Sequence, residues 1–192
     1  MRRRLYTLLF AALLAVGFVI WQNNDLTLSS YDVDLGLETS VKIVHLSDLH
    51  SKPFGEDNKR LVNHVKDASP DMIFMTGDLV DQDDKALDGT LGYIGALTDI
   101  APVFVISGNH EYWSSLRDEV RQAVEAQGAH WMDGHSTTVS VNGETMQIVG
   151  VHDPAGEADP KSSFAALVDD SLRTLVLSHR PLAFEWLQDY DV

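Results

Sequence analysis

The chain has 192 residues, of which 44% are hydrophobic and none is cysteine, so we expect one domain with a sizeable buried core. The absence of cysteine excludes disulfides, thiolate zinc sites, iron–sulfur clusters and cysteine nucleophiles. The 29 acidic residues outnumber the 14 lysines and arginines and give a net charge of −15, which argues against a basic surface for binding nucleic acid.

The first predicted element is an uncharged apolar run at residues 5–21, which follows Arg2, Arg3 and Arg4. As a helix these 17 residues span roughly 25 Å, slightly less than the ~30 Å hydrocarbon core of a bilayer. We therefore predict residues 1–21 as a single-pass transmembrane anchor, with the arginines in the cytoplasm and the rest of the chain outside the cell membrane. Two alternatives stay open: a cleaved signal segment, which would leave a periplasmic or secreted protein, and a buried helix of a soluble protein.

The next segment, residues 22–40, is polar, and its leucines and valine are spaced as in an edge strand. We predict a spacer and an edge strand there. From residue 41 onward, apolar strand patterns alternate with amphipathic helical patterns; the strands are predicted at 41–48, 72–78 and 102–109 and the helices at 57–68 and 115–127. Parallel strands that are covered by helices on both faces produce this alternation.

The C-terminal third differs, because Asn142-Gly143 separates two short runs of alternating polarity. An Asn-Gly pair in this position is the strongest short-range signal for a β-hairpin. Two further strand patterns follow at 148–152 and 174–178. Residues 41–192 are therefore predicted as one α/β domain that includes a local hairpin.

Four of the apolar runs end in side chains that can bind metal ions. These side chains are Asp48 and His50, then Asp78, then Asn109 and His110, and finally His179. Asp48 and Asp78 are 30 residues apart and Asp78 and Asn109 are 31 apart, each about one strand–helix–strand unit. Because the carboxyl ends of the strands in an open α/β sheet line one crevice, we expect these side chains to converge.

The donor types in this set restrict the chemistry. Carboxylate, imidazole and amide oxygen without thiolate suit Mn²⁺, Fe or Zn²⁺. Two neighbouring cations need a bridging anion, for which Asp78 is the natural candidate. Water held between two cations loses its proton near neutral pH and becomes a nucleophile, and His110 can protonate the leaving oxygen of a phosphate ester.

The ordered motifs Asp-x-His, Gly-Asp and Gly-Asn-His-Glu, followed by a histidine after an apolar run, resemble those of the calcineurin-like metallophosphoesterase superfamily over residues 40–192. The resemblance implies an α/β/β/α sandwich and two divalent metal ions, of which manganese is favoured. It also implies one role for each residue: Asp48, His50 and Asp78 as ligands of one metal, Asp78, Asn109 and His179 as ligands of the other, His110 as the catalytic acid and Asp81 as its partner.

A further detail narrows the resemblance to one branch. In the protein Ser/Thr phosphatases an arginine follows the position of Asp81, whereas this chain has Gln82. Together with the N-terminal apolar run, this resembles the bacterial membrane-associated branch, in which some members act on lipid-linked phosphodiesters or pyrophosphates. The expected partners are therefore a phosphate-ester substrate, lipid-linked in one version of the hypothesis, and the membrane.

The family's Gly-His-x-His motif is absent from residues 1–192. We therefore expect a chain that ends before this motif, an incomplete sandwich and one protein ligand fewer for each cation. The alternative function is a membrane-tethered binding domain without catalytic activity, for which bound metal in the purified chain would be the discriminating measurement.

Each motif residue also has an interpretation without chemistry. Asp48 could cap a helix or turn, Asn109 could be a left-handed turn residue, His110 a surface residue, His179 a packed residue and Asp81 part of a solvated acidic loop. Outside the motifs, His130 and His135 are predicted in loops, and His152 is either packed or at the border of the cleft.

Overall fold

The computed structural model describes residues 2–87, 89–156 and 159–190, and the chain divides into two compact units, Met1–Val33 and Asp34–Val192. The first unit contains helix α1 (Arg2–Asn24). Its stretch Tyr6–Asn24 has a mean hydropathy of 1.6 and is long and apolar enough to cross a membrane. The large apolar side chains described on this helix are exposed, whereas a helix that is hydrophobic all round is typically buried in a protein core or a membrane.

The second unit contains a parallel sheet of four strands in the order β1-β2-β3-β4. Its strands are β1 (Ile43–Leu46), β2 (Met72–Thr76), β3 (Val103–Ile106) and β4 (His130–Trp131). The helices that follow these strands are α2 (Lys59–Ala68), preceded by a 3₁₀ turn at Glu56–Asn58, then α3 (Tyr93–Thr98), α4 (Asn109–Trp113) and α5 (Arg117–Ala126).

A second sheet of three strands follows along the chain. The predicted hairpin is present: β5 (Ser136–Val141) and β6 (Glu144–Gly150) pair antiparallel around Asn142-Gly143. Strand β7 (Arg173–Leu177) pairs parallel with β6 after helix α6 (Pro160–Ala165). A 3₁₀ turn at Pro181–Ala183 and helix α7 (Phe184–Leu187) complete the described elements.

The two sheets pack face to face, and helices cover their outer faces. Met72 and Ile106 of the first sheet share one core cluster with Met146 and Ile148 of the second. The alternate residues of β6 face the other way, where Val149 packs with Phe164 of α6. Helices α2 and α5 each bury two apolar residues four positions apart, Leu61 with Val65 and Val120 with Val124, which is the stripe that docks a helix on a sheet. The expected α/β/β/α layering is thus confirmed.

The edge strand expected within residues 22–40 is not formed, because α1 runs to Asn24 and residues 25–42 have neither helix nor strand. The C-terminal part of this segment is held by side-chain contacts in place of a ladder. The Thr39 amide donates to Glu144 Oε1 at 2.8 Å, its hydroxyl donates to the Asn142 carbonyl at 2.9 Å, and Leu37 packs against the core. Leu37 therefore docks the end of this segment without backbone pairing, whereas Leu28 and Val33 are exposed.

Two other predictions need correction. The strand pattern at 148–152 is not a separate strand, because its first residues complete β6, which ends at Gly150. His130 is not in a loop but forms β4 with Trp131. A strand of two residues is too short to show an alternating pattern in the sequence.

Candidate metal centre

The candidate side chains lie at the carboxyl ends of β1, β2, β3 and β7, and backbone hydrogen bonds join the first two of these ends. The Asp48 amide donates to the Gly77 carbonyl at 3.1 Å, and the His50 amide donates to the Asp78 carbonyl at 2.9 Å. Asp48, His50 and Asp78 all have positive φ, at 56°, 47° and 51°. Residues other than glycine rarely adopt this backbone conformation, and those that do cluster at functional sites.

Two glycines allow the loops after β2 and β3 to touch. Gly77 has a φ of 92°, and a Cβ on it would collide with the backbone of Gly108. A Cβ on Gly108 would in turn collide with the carboxylate of Asp78. Glycine is needed at both positions because the backbones approach closely. The motif glycines therefore place Asn109 and His110, at the start of α4, directly beside Asp78.

Glu111, for which no role was predicted, holds the loops after β2 and β3 together. This side chain is fully buried, and its two carboxylate oxygens accept the amides of Asp78, Leu79, Val80 and Gly108 at 2.7–3.2 Å. Burial raises the pKa of Glu111, and the hydrogen bonds from these backbone amides oppose that increase. The carboxylate therefore clamps the turn that carries Asp78 to the start of α4.

Three imidazoles converge on one carboxylate oxygen at the centre of the site. Asp78 Oδ2 lies 3.6 Å from His179 Nε2, 3.7 Å from His50 Nε2 and 3.9 Å from His110 Nε2. The other oxygen, Oδ1, accepts the amide of His110 at 2.9 Å. Asp48 Oδ1 lies 3.9 Å from His50 Nε2, at the exposed side of the cluster.

Among the described residues, two groups of side chains bring their donor atoms within 4.8 Å of one another: His50 with Asp78 and His110, and Asp48 with Asp78 and His179. Asp78 is common to both. The resemblance implied that Asp48 and His50 share an ion, and with Asp48 Oδ1 3.9 Å from His50 Nε2 that assignment stays a prediction. Asn109 is the first residue of α4 and lies between Gly108, which touches Asp78, and His110.

The hydrogen bond on the far side of His179 sets its tautomer. Its Nδ1 lies 2.8 Å from the carbonyl oxygen of Thr76. A carbonyl can only accept, so Nδ1 carries the proton and the lone pair on Nε2 faces Asp78. Metal-binding histidines show this arrangement, with the second ring nitrogen donating to a carbonyl or carboxylate.

His110 is held the opposite way round. The backbone amide of Gln82 donates to His110 Nδ1 at 3.1 Å, so in the neutral ring the proton is on Nε2, which faces Asp78. Asp81, the predicted partner of His110, has Oδ1 4.0 Å from Nδ1, too far for a hydrogen bond. That oxygen accepts the amide of Asp83 at 3.0 Å. The pairing of Asp81 with His110 therefore stays a prediction.

The donor set fits a divalent cation. The separations of 3.6–3.9 Å between Asp78 Oδ2 and the three imidazole nitrogens exceed hydrogen-bond length, so these atoms face one another without bonding. In addition, His50 Nδ1 is buried and has no hydrogen-bond partner in the described part of the chain. Carboxylate and imidazole donors without thiolate suit Mn²⁺, Fe or Zn²⁺.

Two supporting residues gave no clear signal in the sequence. Asp133, which is buried, accepts the amide of Ser107 at 2.9 Å and also its hydroxyl, and so fixes the end of β3 just before Gly108. It lies 26 residues from its partner, and no local pattern relates the two. Glu111 could have been suspected, because it completes the Gly-Asn-His-Glu motif.

His45 lies on β1, close to the candidate centre along the chain. Its Nε2 lies 2.6 Å from the hydroxyl of Thr76 on the neighbouring strand. Burial lowers the pKa of His45, and the charge of Asp48 partly offsets this. His45 therefore lies near the ends of the strands but belongs to neither group of candidate ligands.

In a comparison with known proteins, residues 41–192 match the model of a protein family described as calcineurin-like phosphoesterase. The uncharacterized metallophosphoesterase YkoQ of Bacillus subtilis is 25% identical over 184 residues, which cover 89% of this chain and 67% of YkoQ. A bovine (Bos taurus) transmembrane protein with a metallophosphoesterase domain is 35% identical over 78 residues, which cover 40% of this chain and 18% of that protein. The crystal structure of TT1561 from Thermus thermophilus superposes with a TM-score of 0.56 and 15% identity over 79% of each chain, a similarity of fold.

Proposed function

Since the chain belongs to the calcineurin-like phosphoesterase family, we propose that it hydrolyses a phosphodiester, a pyrophosphate or a phosphomonoester with the help of two divalent cations, with manganese favoured. The family membership supports a metal-dependent phosphoesterase in general. The observation that carries the finer proposal is the convergence of three imidazole nitrogens on the buried Asp78 Oδ2 at 3.6–3.9 Å.

We assign the ligands by where their donor atoms face. Asp48, His50, Asp78 and His179 have donor atoms within the two groups around Asp78, and Asn109 adjoins them at the start of α4. Asp78 is the candidate bridge because it belongs to both groups. Divalent cations at this site would lower the pKa of a bound water and draw charge from the phosphate oxygens.

His110 is the candidate acid for the leaving oxygen. With the Gln82 amide donating to Nδ1, the proton of the neutral ring sits on Nε2, on the side that faces the centre. Its ring contacts that of His50 edge to face, with centroids 4.4 Å apart, which restricts its orientation. A donor held in this way is placed to protonate an alkoxide as it departs.

The test is Asp78→Asn, which removes the charge of the central carboxylate but keeps its size. We expect hydrolysis of bis-p-nitrophenyl phosphate with Mn²⁺ to fall by at least ~10³-fold, as is usual when the group that organises a catalytic centre is lost. Bound manganese, measured by elemental analysis of the purified protein, should fall as well.

The matched control is Asp99→Asn at the exposed end of α3, which should keep both activity and metal content. Full metal-dependent turnover by Asp78→Asn would overturn the proposal. So would a wild-type chain without bound manganese, which would favour the alternative of a non-catalytic binding domain.

We further propose that α1 anchors the protein in the cell membrane, with the catalytic domain outside and a lipid-linked phosphate ester within its reach. The support is the apolar stretch Tyr6–Asn24 behind three arginines, which favour the cytoplasmic side. In intact spheroplasts, added protease should digest the domain, and carbonate washing should leave the protein in the membrane fraction. A domain that is protected until the cells are lysed would contradict this topology.

A further inference from the structure

A small cavity of about 140 Å³ lies among the residues that follow β6 and β7. Its polar wall contains His152, Ser178 and Arg180, and its apolar wall includes Pro154, Ala183 and Trp186. Ser178 and Arg180 flank His179, and consecutive Cα atoms are only ~3.8 Å apart. The cavity therefore shares a loop with His179, whose Nε2 lies 3.6 Å from Asp78 Oδ2.

Arg180 is fixed at the wall of this cavity by a buried carboxylate. Its Nε donates to Asp153 Oδ2 at 2.9 Å, and the Asp153 side chain is fully buried. Asp153 Oδ1 accepts the amide of Ala155 at 2.7 Å, so both carboxylate oxygens are occupied. The Ser178 hydroxyl donates to the Arg180 carbonyl at 2.9 Å and fixes the backbone of the same turn.

The two terminal nitrogens of the Arg180 guanidinium can still bind a ligand. The Arg180 side chain is 34% exposed, and in the described part of the chain no hydrogen bond engages its two terminal nitrogens. A guanidinium that is held at Nε and open at its terminal nitrogens can bind an oxyanion through two parallel hydrogen bonds. The preorganisation by Asp153 lowers the entropy cost of that binding.

His152 forms a rigid part of the same wall. Its Nδ1 shares a 3.0 Å hydrogen bond with the hydroxyl of Tyr112 on α4. Its Nε2 edge lies so close to Gly134 that a Cβ there would collide with the ring. The hydrogen bond ties the cavity to the helix that carries His110, so the two should keep a constant spacing.

The size of the cavity limits its occupant. At about 140 Å³ it has room for four or five waters at roughly 30 Å³ each, well below the ~300–1,000 Å³ of pockets for drug-sized ligands. A volume of this size has room for a single phosphate group.

We propose that this cavity is a subsite for a second phosphate of the substrate, one that is not attacked, and that Arg180 is the residue that binds it. This proposal rests on the proposed function, since it assumes that the scissile phosphate is held at Asp78. The substrate class it names is a compound with a second phosphate next to the scissile one. Where the protein Ser/Thr phosphatases have an arginine after the position of Asp81, this chain has the uncharged Gln82. Arg180 supplies a positive charge that Gln82 does not.

The test compares inorganic pyrophosphate with p-nitrophenyl phosphate, which has one phosphate, as substrates of the full chain with Mn²⁺. Arg180→Lys keeps the charge but loses the fork, so its kcat/KM for pyrophosphate should fall about tenfold through KM, the effect of one lost hydrogen bond to a charged group. Its kcat/KM for p-nitrophenyl phosphate should change less than about threefold. Arg121→Lys on α5, where Arg121 pairs with Glu125 at the surface, is the matched control and should change neither.

Because removing the arginine alone would leave Asp153 buried and unpaired, the second variant is the double substitution Asp153→Asn with Arg180→Gln, which replaces the ion pair with two amides. It should lose more affinity for pyrophosphate than Arg180→Lys does. Binding of pyrophosphate to the metal-free protein, measured by titration calorimetry, gives the same comparison without turnover, and each Arg180 variant should bind at least about tenfold more weakly.

An unchanged preference for pyrophosphate in both variants, or an equal loss for both substrates, would overturn the subsite. Failure of the proposed function gives a different result: the wild type would hydrolyse neither substrate with Mn²⁺, while the calorimetric comparison would still report on Arg180.

Discussion

At the scale of single residues, the candidate centre depends on Glu111, whose carboxylate binds backbone amides and not the centre itself. Asp78 can present one oxygen to three imidazoles only because the turn that carries it is held at positive φ. The buried Glu111 holds this turn, since its carboxylate accepts three amides of the turn and the amide of Gly108. An uncompensated buried carboxylate would be costly, but these donors satisfy both of its oxygens.

We predict that Glu111→Gln lowers the free energy of unfolding by roughly 2–4 kcal/mol, since one carboxylate oxygen becomes an amide nitrogen and leaves two buried amides without an acceptor. Activity with Mn²⁺ should fall at the same time, because the turn that positions Asp78 loosens. Urea unfolding of the detergent-solubilised protein measures the first effect.

The control is Glu125→Gln on α5, a half-exposed residue paired with Arg121, which should cost under ~1 kcal/mol. If Glu111→Gln were as stable and as active as the wild type, Glu111 would not be the clamp described here.

At the scale of elements, the sequence predicted those whose hydrophobic pattern is long and regular. Strands β1, β2 and β3 and helices α2 and α5 were all expected. The expected strand within 22–40 was wrong, because two residues of its alternating pattern, Leu28 and Val33, are exposed and the segment pairs with no strand. Strand β4 and helix α3 were missed, since two and six residues are too few to show a period.

At the candidate site, too, the residues that follow a recognisable strand could be predicted, and those whose partners are distant in the chain could not. Asp48, His50, Asp78, His110 and His179 were predicted to converge because each follows a strand of the α/β unit, and the structure brings these five together. Their individual roles are still proposals. The contacts of Glu111 with the turn after β2, of Asp133 with Ser107 and of Arg180 with Asp153 join segments that are far apart in the chain. No local pattern in the sequence identifies such partners.

The packing of the two sheets gives a prediction at this scale. Ile148 of β6 is fully buried between the sheets. Ile148→Ala should lower the free energy of unfolding by about 2–5 kcal/mol, since it leaves a cavity in the shared core, whereas Ile148→Val should cost only about 0.5–1.5 kcal/mol. Urea unfolding of both variants tests this, and equal losses would mean that the sheets do not pack tightly at this position.

At the scale of the whole molecule, the charge of the protein opposes the chemistry proposed for it. The chain has a net charge of −15, and three of its basic residues lie at positions 2–4, ahead of the apolar run. If the proposed function holds, a phosphate ester that approaches the domain is repelled at long range and attracted only near bound cations and Arg180. Like-charge repulsion slows association, and salt screens it.

We therefore predict that raising NaCl from about 20 to 200 mM increases kcat/KM for p-nitrophenyl phosphate roughly two- to fivefold and leaves kcat unchanged, because the Debye length falls from about 20 Å to about 7 Å. Steady-state kinetics at saturating Mn²⁺ measure both constants, and sucrose at equal osmolarity is the control for effects other than screening. A kcat/KM that decreases with salt would show that a positive local field around the centre, and not the net charge, governs the approach of the substrate.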